Sequence, residues 1–305
     1  MYMKFSVIKP FDPWRSPMCT CPRKWVLNTY TGCGHRCLYC YASSYIPNHF
    51  TPRLKRMVVE RAEYDLKHIP RGALIEMSTS SDPYTPPEAE RQFTRKLIHR
   101  VLSRGMRLLI TTKSDLVVRD IDILSKHLGR VAVAITITTI NDGLARRLEP
   151  GAPSPTSRIE AIRLLRRAGI PVIVRVDPII PYINDEYRAL RDLIKRVADA
   201  GALQITSSTY KAKADSLVRM KRAFPELADK LDELYKVRGV RIHGYMYLEE
   251  RLRYSYMRMV KEVAEEHGLI FESCREGFTN IGTPGFACDG STFTFPEVYE
   301  ELRRL

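Results

Sequence analysis

The hydrophobic residues of the chain fall into short apolar runs separated by longer amphipathic stretches. The runs are Ala73–Met77, Leu108–Thr112, Val131–Ile137, Val172–Val176, Leu203–Thr206 and Ile242–Tyr247. Most are rich in β-branched residues or bounded by glycine, as buried parallel strands are. The stretches with helical spacing are Pro87–Arg104, Ser114–His127, Ser157–Ala168 and Asp185–Ala200. About six βαβ units fit this alternation, so the sequence predicts either a partial (β/α) barrel or an open doubly wound sheet.

The two ends of the chain lack this alternation. Residues 1–50 are irregular and rich in proline, cysteine and aromatic side chains, and residues 275–296 form a loop rich in glycine, threonine and phenylalanine. Leu269–Ser273 is predicted as a last strand. Neither repeats nor a linker divide the chain, so we expect one domain. Without about eighteen consecutive apolar residues or a signal-peptide core, we expect a cytoplasmic protein that does not enter a membrane.

The net charge of the chain is strongly positive. Of its 305 residues, 49 are Lys or Arg and 35 are Asp or Glu, which gives a formal net charge of +14. Such an excess favours polyanionic partners such as nucleic acid. A surface rich in ion pairs, of the kind found in thermophiles, explains the same composition. Charge alone therefore leaves both interpretations open.

Three of the seven cysteines lie on one short segment. They are Cys33, Cys37 and Cys40. The spacing C-x3-C-x2-C lets three thiolates bind three irons of a cubane cluster, while the fourth iron keeps an open position. Gly32 and Gly34 let the backbone wrap closely around such a core. The alternative is a zinc loop, but closed zinc sites use four ligands, and His35 lies at an awkward spacing. The pattern predicts a [4Fe-4S] cluster.

The wider sequence resembles the radical S-adenosylmethionine (SAM) superfamily, and within it the spore photoproduct lyase-like branch, often labelled DNA repair photolyase. The resemblance begins with YTGCGHRCLYCYA, in which an aromatic residue precedes the last cysteine. It continues in the strings STSSDPYTPPE, TTKSD, ITITTIND, RLEPGAPSP and RVDPIIPYIND. It extends from about residue 24 to about residue 290. The cysteine motif is specific for the superfamily, whereas the branch is functionally mixed.

The resemblance implies a fold, two cofactors and a partner. The fold is an α/β partial (β/α)6 TIM-like barrel of parallel strands with irregular N- and C-terminal extensions. The single domain 1–305 would comprise an N-terminal extension at 1–27, a barrel core at 28–250 and a C-terminal helix and loop extension at 251–305. A [4Fe-4S] cluster, reduced by a donor such as ferredoxin or flavodoxin, would cleave SAM so that the resulting radical abstracts a hydrogen atom from substrate.

The resemblance also implies SAM contacts at the carboxyl ends of the predicted strands, where barrel sites gather. Tyr39, before the last loop cysteine, matches the residue near the adenine, although it could be a core tyrosine. Ser81 and Asp82 match contacts to the methionyl amine, although Asp82 could instead cap a helix ahead of Pro86. Lys113 matches the lysine that pairs with the methionyl carboxylate.

Two further predictions concern the next two strands. Thr136 and Thr138 share one face by strand alternation and match hydroxyl contacts to SAM, although β-branched residues are common in any strand. Arg175 places a charge inside a buried run, which is costly unless the charge is paired. We expect its partner to be a carboxylate of the cofactor or of Glu149.

The four remaining cysteines lie towards the ends of the chain. They are Cys19, Cys21, Cys274 and Cys288. If the ends of the barrel meet, four thiolates could bind an auxiliary iron–sulfur cluster or a zinc ion. Buried thiols and thermophile-type disulfides are the alternatives. The resemblance also implies a thiol that returns a hydrogen atom to a product radical, but no position in this chain matches it.

Two basic stretches with interleaved aromatic residues bear on the substrate. They comprise Tyr210, Lys211, Lys213, Arg219, Lys221 and Arg222, followed by Arg251, Arg253, Tyr254, Tyr256 and Arg258. Aromatic and cationic side chains together suit bases and phosphates, so the leading hypothesis is a radical enzyme that repairs or modifies nucleic acid. The rival hypotheses are radical modification of a protein, peptide or small metabolite, and a non-catalytic metal-containing protein that binds nucleic acid.

Overall fold

The computed structural model of the protein describes residues 6–11 and 18–302, so the outermost residues of the predicted domain 1–305 lie outside it. Its strands are β1 (Ile8–Pro10), β2 (Trp25–Leu27), β3 (Tyr30–Thr31), β4 (Arg53–Leu54), β5 (Leu74–Met77), β6 (Arg107–Thr112), β7 (Val131–Thr136), β8 (Val172–Ile179), β9 (Gln204–Thr209), β10 (Val240–Ile242), β11 (Tyr245–Tyr247) and β12 (Ile270–Ser273). Its α-helices are α1 (Val58–Leu66), α2 (Glu88–Arg91), α3 (Phe93–Ser103), α4 (Ile121–Leu124), α5 (Asp142–Leu148), α6 (Pro155–Arg167), α7 (Tyr187–Asp199), α8 (Ala214–Ala223), α9 (Ala228–Asp232), α10 (Glu250–Glu266) and α11 (Pro296–Leu302). None of the helices in these ranges combines the length and the apolar character that a bilayer span requires.

Eight of these strands form one sheet in the order β1-β2-β5-β6-β7-β8-β9-β12. Neighbouring strands are parallel throughout, except that β1 and β2 are antiparallel. Because β1 and β12 stand at opposite ends of this order, the sheet does not close into a complete barrel within the described residues. The prediction of an α/β fold built on a partial barrel of parallel strands is confirmed.

The two faces of the sheet bury different residues, because side chains alternate along each strand. Ile110, Val133 and Val174 lie on the outer face and pack with α3, α6, α7 and α10 in the largest hydrophobic core. On the inner face, Ile173 packs against Phe293 from the C-terminal segment. Further towards the carboxyl ends of the strands the inner face becomes polar, and the candidate site lies there.

The strand predicted at Ile242–Tyr247 does not join this sheet. It forms a separate antiparallel hairpin of β10 and β11. His243 and Gly244 make the turn with φ angles of 47° and 74°, the left-handed conformations that a two-residue hairpin turn requires. The parallel strands that complete the sheet are instead β2 and β12, and β12 matches the strand predicted at Leu269–Ser273. Both segments expected as irregular extensions therefore contribute strands.

Two of the predicted helices are interrupted. Within Pro87–Arg104, α2 and α3 are separated at Gln92, whose φ of 53° is left-handed. Ser114–His127 consists of consecutive 3-10 turns around the single-turn α4. The helices predicted over Ser157–Ala168 and Asp185–Ala200 correspond to α6 and α7. Helical periodicity thus located the segments but not the backbone breaks inside them.

Candidate cofactor site

The three-cysteine loop lies against the segments that follow β5 and β7. The Gly34 N–H donates to Thr85 Oγ1 at 2.8 Å. The Leu38 N–H donates to the Leu148 carbonyl at 2.9 Å. Since β5 and β7 flank β6 in a parallel sheet, these bonds dock the loop at the carboxyl-terminal edge, where such sheets gather their functional residues.

Two glycines allow the loop to pack this closely. Gly32 has a φ of 83°, and a Cβ added there would lie 2.5 Å from the carbonyl oxygen of His49. A Cβ added at Gly34 would lie 2.8 Å from the ring of Pro86. Neither position therefore has room for a larger side chain, and the close approach of this backbone to an inorganic core stays a prediction.

Each loop thiol has its own polar neighbour. Cys33 interacts with the buried imidazole of His35, and Cys40 Sγ lies 3.2 Å from His49 Nε2. The buried Cys37 is acted on by the charge of Lys113. In the described part of the chain, no three His, Cys, Asp or Glu side chains are arranged around a single metal ion. The cluster on these three thiols stays a prediction.

Burial controls the protonation of these thiols. It raises the pKa of Cys37 well above its usual value and also raises the pKa of Cys40. Burial acts in the same direction on Cys33, but His35 outweighs it and lowers the pKa of that thiol. Although burial opposes its charge, Asp82 and Cys33 raise the pKa of His35 to about 10. The imidazole of His35 thus lowers the pKa of the Cys33 thiol, and the thiol in turn raises the pKa of the imidazole.

Asp82 connects the ends of β5 and β6. Its carboxylate accepts from Thr112 Oγ1 at 2.7 Å, from the Lys113 N–H at 2.8 Å and from the Tyr84 N–H at 2.9 Å. It also lies 3.3 Å from His35 Nδ1. Burial disfavours the charged form, but these partners together lower the pKa of Asp82. A contact with the methionyl amine, as the resemblance implies, stays a prediction.

Tyr39 belongs to a buried polar cluster with Glu149 and Arg158. The Tyr39 hydroxyl donates to Glu149 Oε1, and Arg158 Nη1 lies 2.6 Å from Glu149 Oε2. Thr138 Oγ1 donates to the same carboxylate at 3.1 Å. Arg158 stands in the first turn of α6, where the side chain of Ser154 caps the helix. The cap at Ser154 thus fixes where α6 begins, and with it the position of Arg158 beside Glu149.

Lys113 joins this polar cluster to the cysteine loop. Its ammonium lies 5.5 Å from the centre of the Tyr39 ring. Burial opposes its charge, but Cys37 and Glu149 raise the pKa of Lys113. Burial likewise opposes the charge of Glu149, but Arg158 and Lys113 lower its pKa. A half-buried cation therefore faces the loop at the position predicted to meet the methionyl carboxylate.

The remaining predicted SAM contacts lie along the same edge. Ser81 Oγ donates to the Tyr30 carbonyl at 2.9 Å. Thr136 ends β7 with its side chain buried, and its carbonyl accepts from Arg158 Nη1 at 3.0 Å. Thr138 lies two residues further on. The structure brings these hydroxyl groups to one edge of the sheet, and their contacts with SAM stay predictions.

Arg175 is paired within its own strand, and its contact with a carboxylate of the cofactor stays a prediction. Its Nη2 lies 2.6 Å from Asp177 Oδ2 on the same strand, whereas Glu149 is paired with Arg158. The expected pairing of Arg175 with Glu149 is wrong, because α6 brings another arginine to that carboxylate. Arg175 also interacts with Cys274. Arg175 and Asp177 therefore lie between the cofactor edge and the four remaining cysteines.

The four remaining cysteines, which we call the outer cysteines, come together beside Arg175. Cys21 Sγ lies 3.7 Å from Cys288 Sγ. Cys19 interacts with Cys21, and Cys274 interacts with Cys288. The fold therefore brings both ends of the chain to one place. Metal binding there stays a prediction.

Sequence reasoning missed three residues of this site. His49 reaches Cys40 because the chain folds back after the loop, and no local pattern signals that return. Asp177 carries a second charge on a buried strand, a signal that was available beside Arg175. Arg158 follows the RLEPGAPSP string and lies on the apolar face of α6 between buried residues. A charged residue on such a face predicts a buried partner.

The residues of this edge fit the cofactors that the resemblance implies. The described loop offers three thiols, as a cluster with one open iron requires. Cys33, Cys37 and Cys40 would hold the cluster. The ammonium of Lys113 would face the carboxylate of SAM, the kind of charge that it could pair with.

Known proteins with similar sequences identify the family of this chain. A model of the Radical SAM superfamily matches residues 27–194, which is more than half of the chain. The uncharacterized protein ORF301 of Acidianus two-tailed virus is 33% identical over 199 residues. That alignment covers 59% of this chain and 65% of the viral protein, so the chain spans less than two thirds of this relative. The radical SAM Nalpha-GlyT isomerase of Pseudomonas phage M6 is 23% identical over 85% of this chain and 55% of the isomerase.

Among solved structures, the fold is similar to that of spore photoproduct lyase. A mutant of that enzyme with bound AdoMet and dinucleoside spore photoproduct matches with a TM-score of 0.65 and 19% sequence identity. The match covers 86% of this chain and 79% of the lyase chain. At this level of identity the likeness establishes a shared fold. The family match over residues 27–194 goes further, and it shows that the chain belongs to the radical SAM superfamily.

Proposed function

We propose that this chain is a radical SAM enzyme that abstracts a hydrogen atom from a nucleic acid, in repair or modification. A [4Fe-4S] cluster on Cys33, Cys37 and Cys40 would be its metal cofactor. The observation that supports this most strongly is the position of the half-buried Lys113, whose ammonium lies 5.5 Å from the centre of the Tyr39 ring and acts on Cys37 and Cys40. A three-thiol site beside a cation suits a cluster with an open position and an anionic ligand.

The protein would bind, orient and shield the cofactors. When bound, the cluster would supply one electron for the cleavage of SAM, whose deoxyadenosyl fragment would take the hydrogen atom. Lys113 would pair with the methionyl carboxylate. Glu149 and Arg158 hold the hydroxyl of Tyr39 in one orientation, so that side chain would form a fixed wall. Burial of this edge keeps water away from the reacting groups.

An aromatic–cation cluster next to the loop is the proposed contact for nucleic acid. It consists of Tyr41, Tyr45, Lys213, Tyr245 and Arg275. The ring centre of Tyr41 lies 6.2 Å from that of Tyr245 and 6.3 Å from that of Tyr45. The Lys213 ammonium and the Arg275 guanidinium lie 3.8 Å and 4.6 Å from the centre of the Tyr245 ring. The cluster reaches solvent at Tyr45, which is 48% exposed. Aromatic faces stack on bases and cations contact phosphates, so this cluster suits an unstacked nucleotide.

Much of the basic sequence that suggested nucleic acid is paired inside the protein. Lys211 Nζ lies 2.8 Å from Glu276 Oε1, and the buried Arg253 contacts the same carboxylate at 3.3 Å. Arg219 donates to the carbonyl of Cys40 at 3.0 Å and so supports the cysteine loop. Nucleic acid as the substrate class is therefore supported by the aromatic–cation cluster and not by the net charge of the chain.

One structural relative adds support for the substrate class. Spore photoproduct lyase binds a dinucleoside photoproduct in the solved complex that shares this fold. Extending a nucleic acid substrate to this chain is part of the proposal. The reaction would also require an external electron donor, such as a ferredoxin or a flavodoxin.

The substrate class can be tested by following the abstracted hydrogen. Anaerobically reconstituted and reduced protein would receive SAM together with DNA, RNA, peptide or metabolite fractions from cells grown in heavy water. We expect deuterium in 5′-deoxyadenosine with a nucleic acid fraction, and none with the Cys37→Ala variant. Transfer from the peptide or metabolite fraction would support the rival enzyme hypothesis. Binding of nucleic acid without any cleavage of SAM would indicate a non-catalytic binding protein.

A further inference from the structure

The outer cysteines take no part in the proposed function. They are contributed by two distant segments, with Cys19 and Cys21 before β2 and Cys274 and Cys288 after β12. Cys288 is buried, and the other three are partly buried. We propose that these four thiolates bind a single zinc ion that fastens the two ends of the described chain together.

The distance between the central pair of sulfur atoms fits a mononuclear tetrahedral site. Zinc–sulfur bonds of about 2.3 Å in a tetrahedron place the sulfur atoms about 3.8 Å apart. Cys21 Sγ and Cys288 Sγ are 3.7 Å apart. A disulfide requires about 2.0 Å, and the thiolates of a cubane cluster stand further apart because each binds a different iron. The spacing favours one ion over a disulfide or a cubane cluster, and because it also matches two thiols in hydrogen-bond contact, metal analysis has to separate the ion from free thiols.

The backbone of the C-terminal pair is fixed by β9. The Cys274 N–H donates to the Ser207 carbonyl at 2.8 Å. Thr206 Oγ1 donates to the Cys288 carbonyl at 2.8 Å. Neighbouring residues of one strand therefore hold both C-terminal cysteines, which reduces the entropy that their ordering would cost on metal binding.

A buried group of three charges ties the N-terminal pair to the same place. Lys24 Nζ lies 2.7 Å from Glu76 Oε2 and 2.5 Å from Asp289 Oδ2. Lys24 follows Cys21 by three residues, and Asp289 directly follows Cys288. This ion-paired group holds the two cysteine segments side by side independently of any metal.

Two cations lie next to the proposed site, and each is also paired with carboxylates of its own. Four thiolates around Zn²⁺ carry two negative charges, which a buried site must offset. Arg175 interacts with Cys274, and the charge of Lys24 acts on Cys21. The described residues do not contain a complete cage of three or more ligands. The ion would therefore draw Cys19 and Cys274 towards the central pair.

The test uses a variant in which Cys33, Cys37 and Cys40 are all changed to alanine. Of the seven cysteines, only the outer four then remain. We expect about one zinc ion per chain in this variant by plasma mass spectrometry. Cobalt(II) in its place should give the absorption spectrum of a tetrahedral thiolate complex. This assay needs no SAM chemistry, so its outcome is independent of the proposed function.

Further substitutions in this background locate the ion. Cys21→Ser and Cys288→Ser should each abolish zinc binding. Thr20→Val is the matched control, since Thr20 Oγ1 lies 3.7 Å from Cys288 Sγ and is not a proposed ligand. It should retain the zinc. Where a serine variant fails to fold, thiol titration of the triple variant shows instead whether the four thiols bind the zinc. Zinc should then be released as the four thiols are modified together.

Three results would overturn the proposal. The first is iron and sulfide in the triple variant at cluster stoichiometry, which would indicate an auxiliary cluster. The second is a metal-free protein in which mass spectrometry finds Cys21 and Cys288 joined. The third is a folded protein that retains zinc after both serine substitutions, or one that releases zinc before its thiols are modified.

Discussion

The two sets of cysteines show two ways in which a chain assembles thiols. The loop cysteines lie within one short segment, and the fold brings their partners, such as His49 and Lys113, from elsewhere. The outer cysteines come from segments some 250 residues apart, and the sheet itself brings them together. A local ligand set can therefore be recognised from its spacing, whereas a distant set becomes visible only when the order of the strands is known.

The surroundings of the two sets differ as well. The loop set faces buried charged side chains, among them Lys113 and the pair formed by Glu149 and Arg158. The outer set is framed by backbone hydrogen bonds from β9 and by the ion pairs of Lys24. Changes at the loop should therefore alter chemistry, whereas changes at the outer cysteines should alter how the ends of the chain are joined.

The largest expected effect is a loss of iron from the loop cysteines without a loss of zinc from the outer cysteines. Cys37→Ala should remove the iron–sulfur cluster completely, because the loop then keeps only two of the three thiols that the cluster requires. Its zinc content should stay at the wild-type level. Iron and zinc are measured on the same anaerobically reconstituted samples. Simultaneous loss of both metals from a folded variant would break the distinction between the two sets.

A large loss of stability should follow from disrupting the buried ion pair behind the loop. Arg158→Met leaves the carboxylate of Glu149 buried without its main partner, so the free energy of unfolding should fall by about 3–5 kcal/mol. Urea unfolding followed by circular dichroism measures this change. The matched control is Glu160→Gln, which breaks the exposed pair with Arg163 on the same helix and should leave stability nearly unchanged. Equal effects of the two variants would contradict the buried role of Arg158.

A smaller effect should follow from removing the cation that faces the loop. Lys113→Met should weaken SAM binding to the reconstituted protein about 10- to 100-fold, since one charged hydrogen bond is lost. Equilibrium dialysis with labelled SAM measures the affinity. Lys126→Met, on the exposed surface after β6, is the control and should bind normally. Unchanged binding by the Lys113 variant would remove this residue from the SAM site.

The smallest expected effect concerns the surface between the two sets of cysteines. Tyr41 follows the loop, Arg275 follows Cys274, and both lie close to Tyr245. Lys213→Gln should weaken oligonucleotide binding several-fold and lower the salt dependence of binding by about one phosphate contact. Fluorescence anisotropy at several salt concentrations measures both quantities. Lys195→Gln on α7 is the control, and an equal effect there would indicate nonspecific attraction.

The sequence predicted the central strands well because their environment is uniform. Residues 131–135 and 172–174 are buried on both faces, so they are continuous apolar runs that solvent exposure does not interrupt. Ile242–Tyr247 has a similar composition, but the turn at His243 and Gly244 folds it into a hairpin. Composition therefore identified strand formers but not the sheet to which they belong.

The site was predictable where its chemistry is local. The three loop cysteines and Lys113 could be identified because each lies within a short motif. The partner of Arg175 could not, because two carboxylates and two arginines compete on the same edge and only the packing of α6 decides the pairing. Burial strengthens each ion pair, but the spacing of the residues along the sequence does not indicate which of them pair.

The most direct test of the central claim is the cleavage of SAM. Wild-type protein and the Cys33→Ala/Cys37→Ala/Cys40→Ala variant would be reconstituted anaerobically with iron and sulfide, reduced in the presence of SAM, and assayed for 5′-deoxyadenosine by mass spectrometry. The wild type should release 5′-deoxyadenosine, and the triple variant should release none. Absence of the product from wild-type protein that carries a reduced cluster and has its nucleic acid substrate, or equal release by the triple variant, would contradict the account.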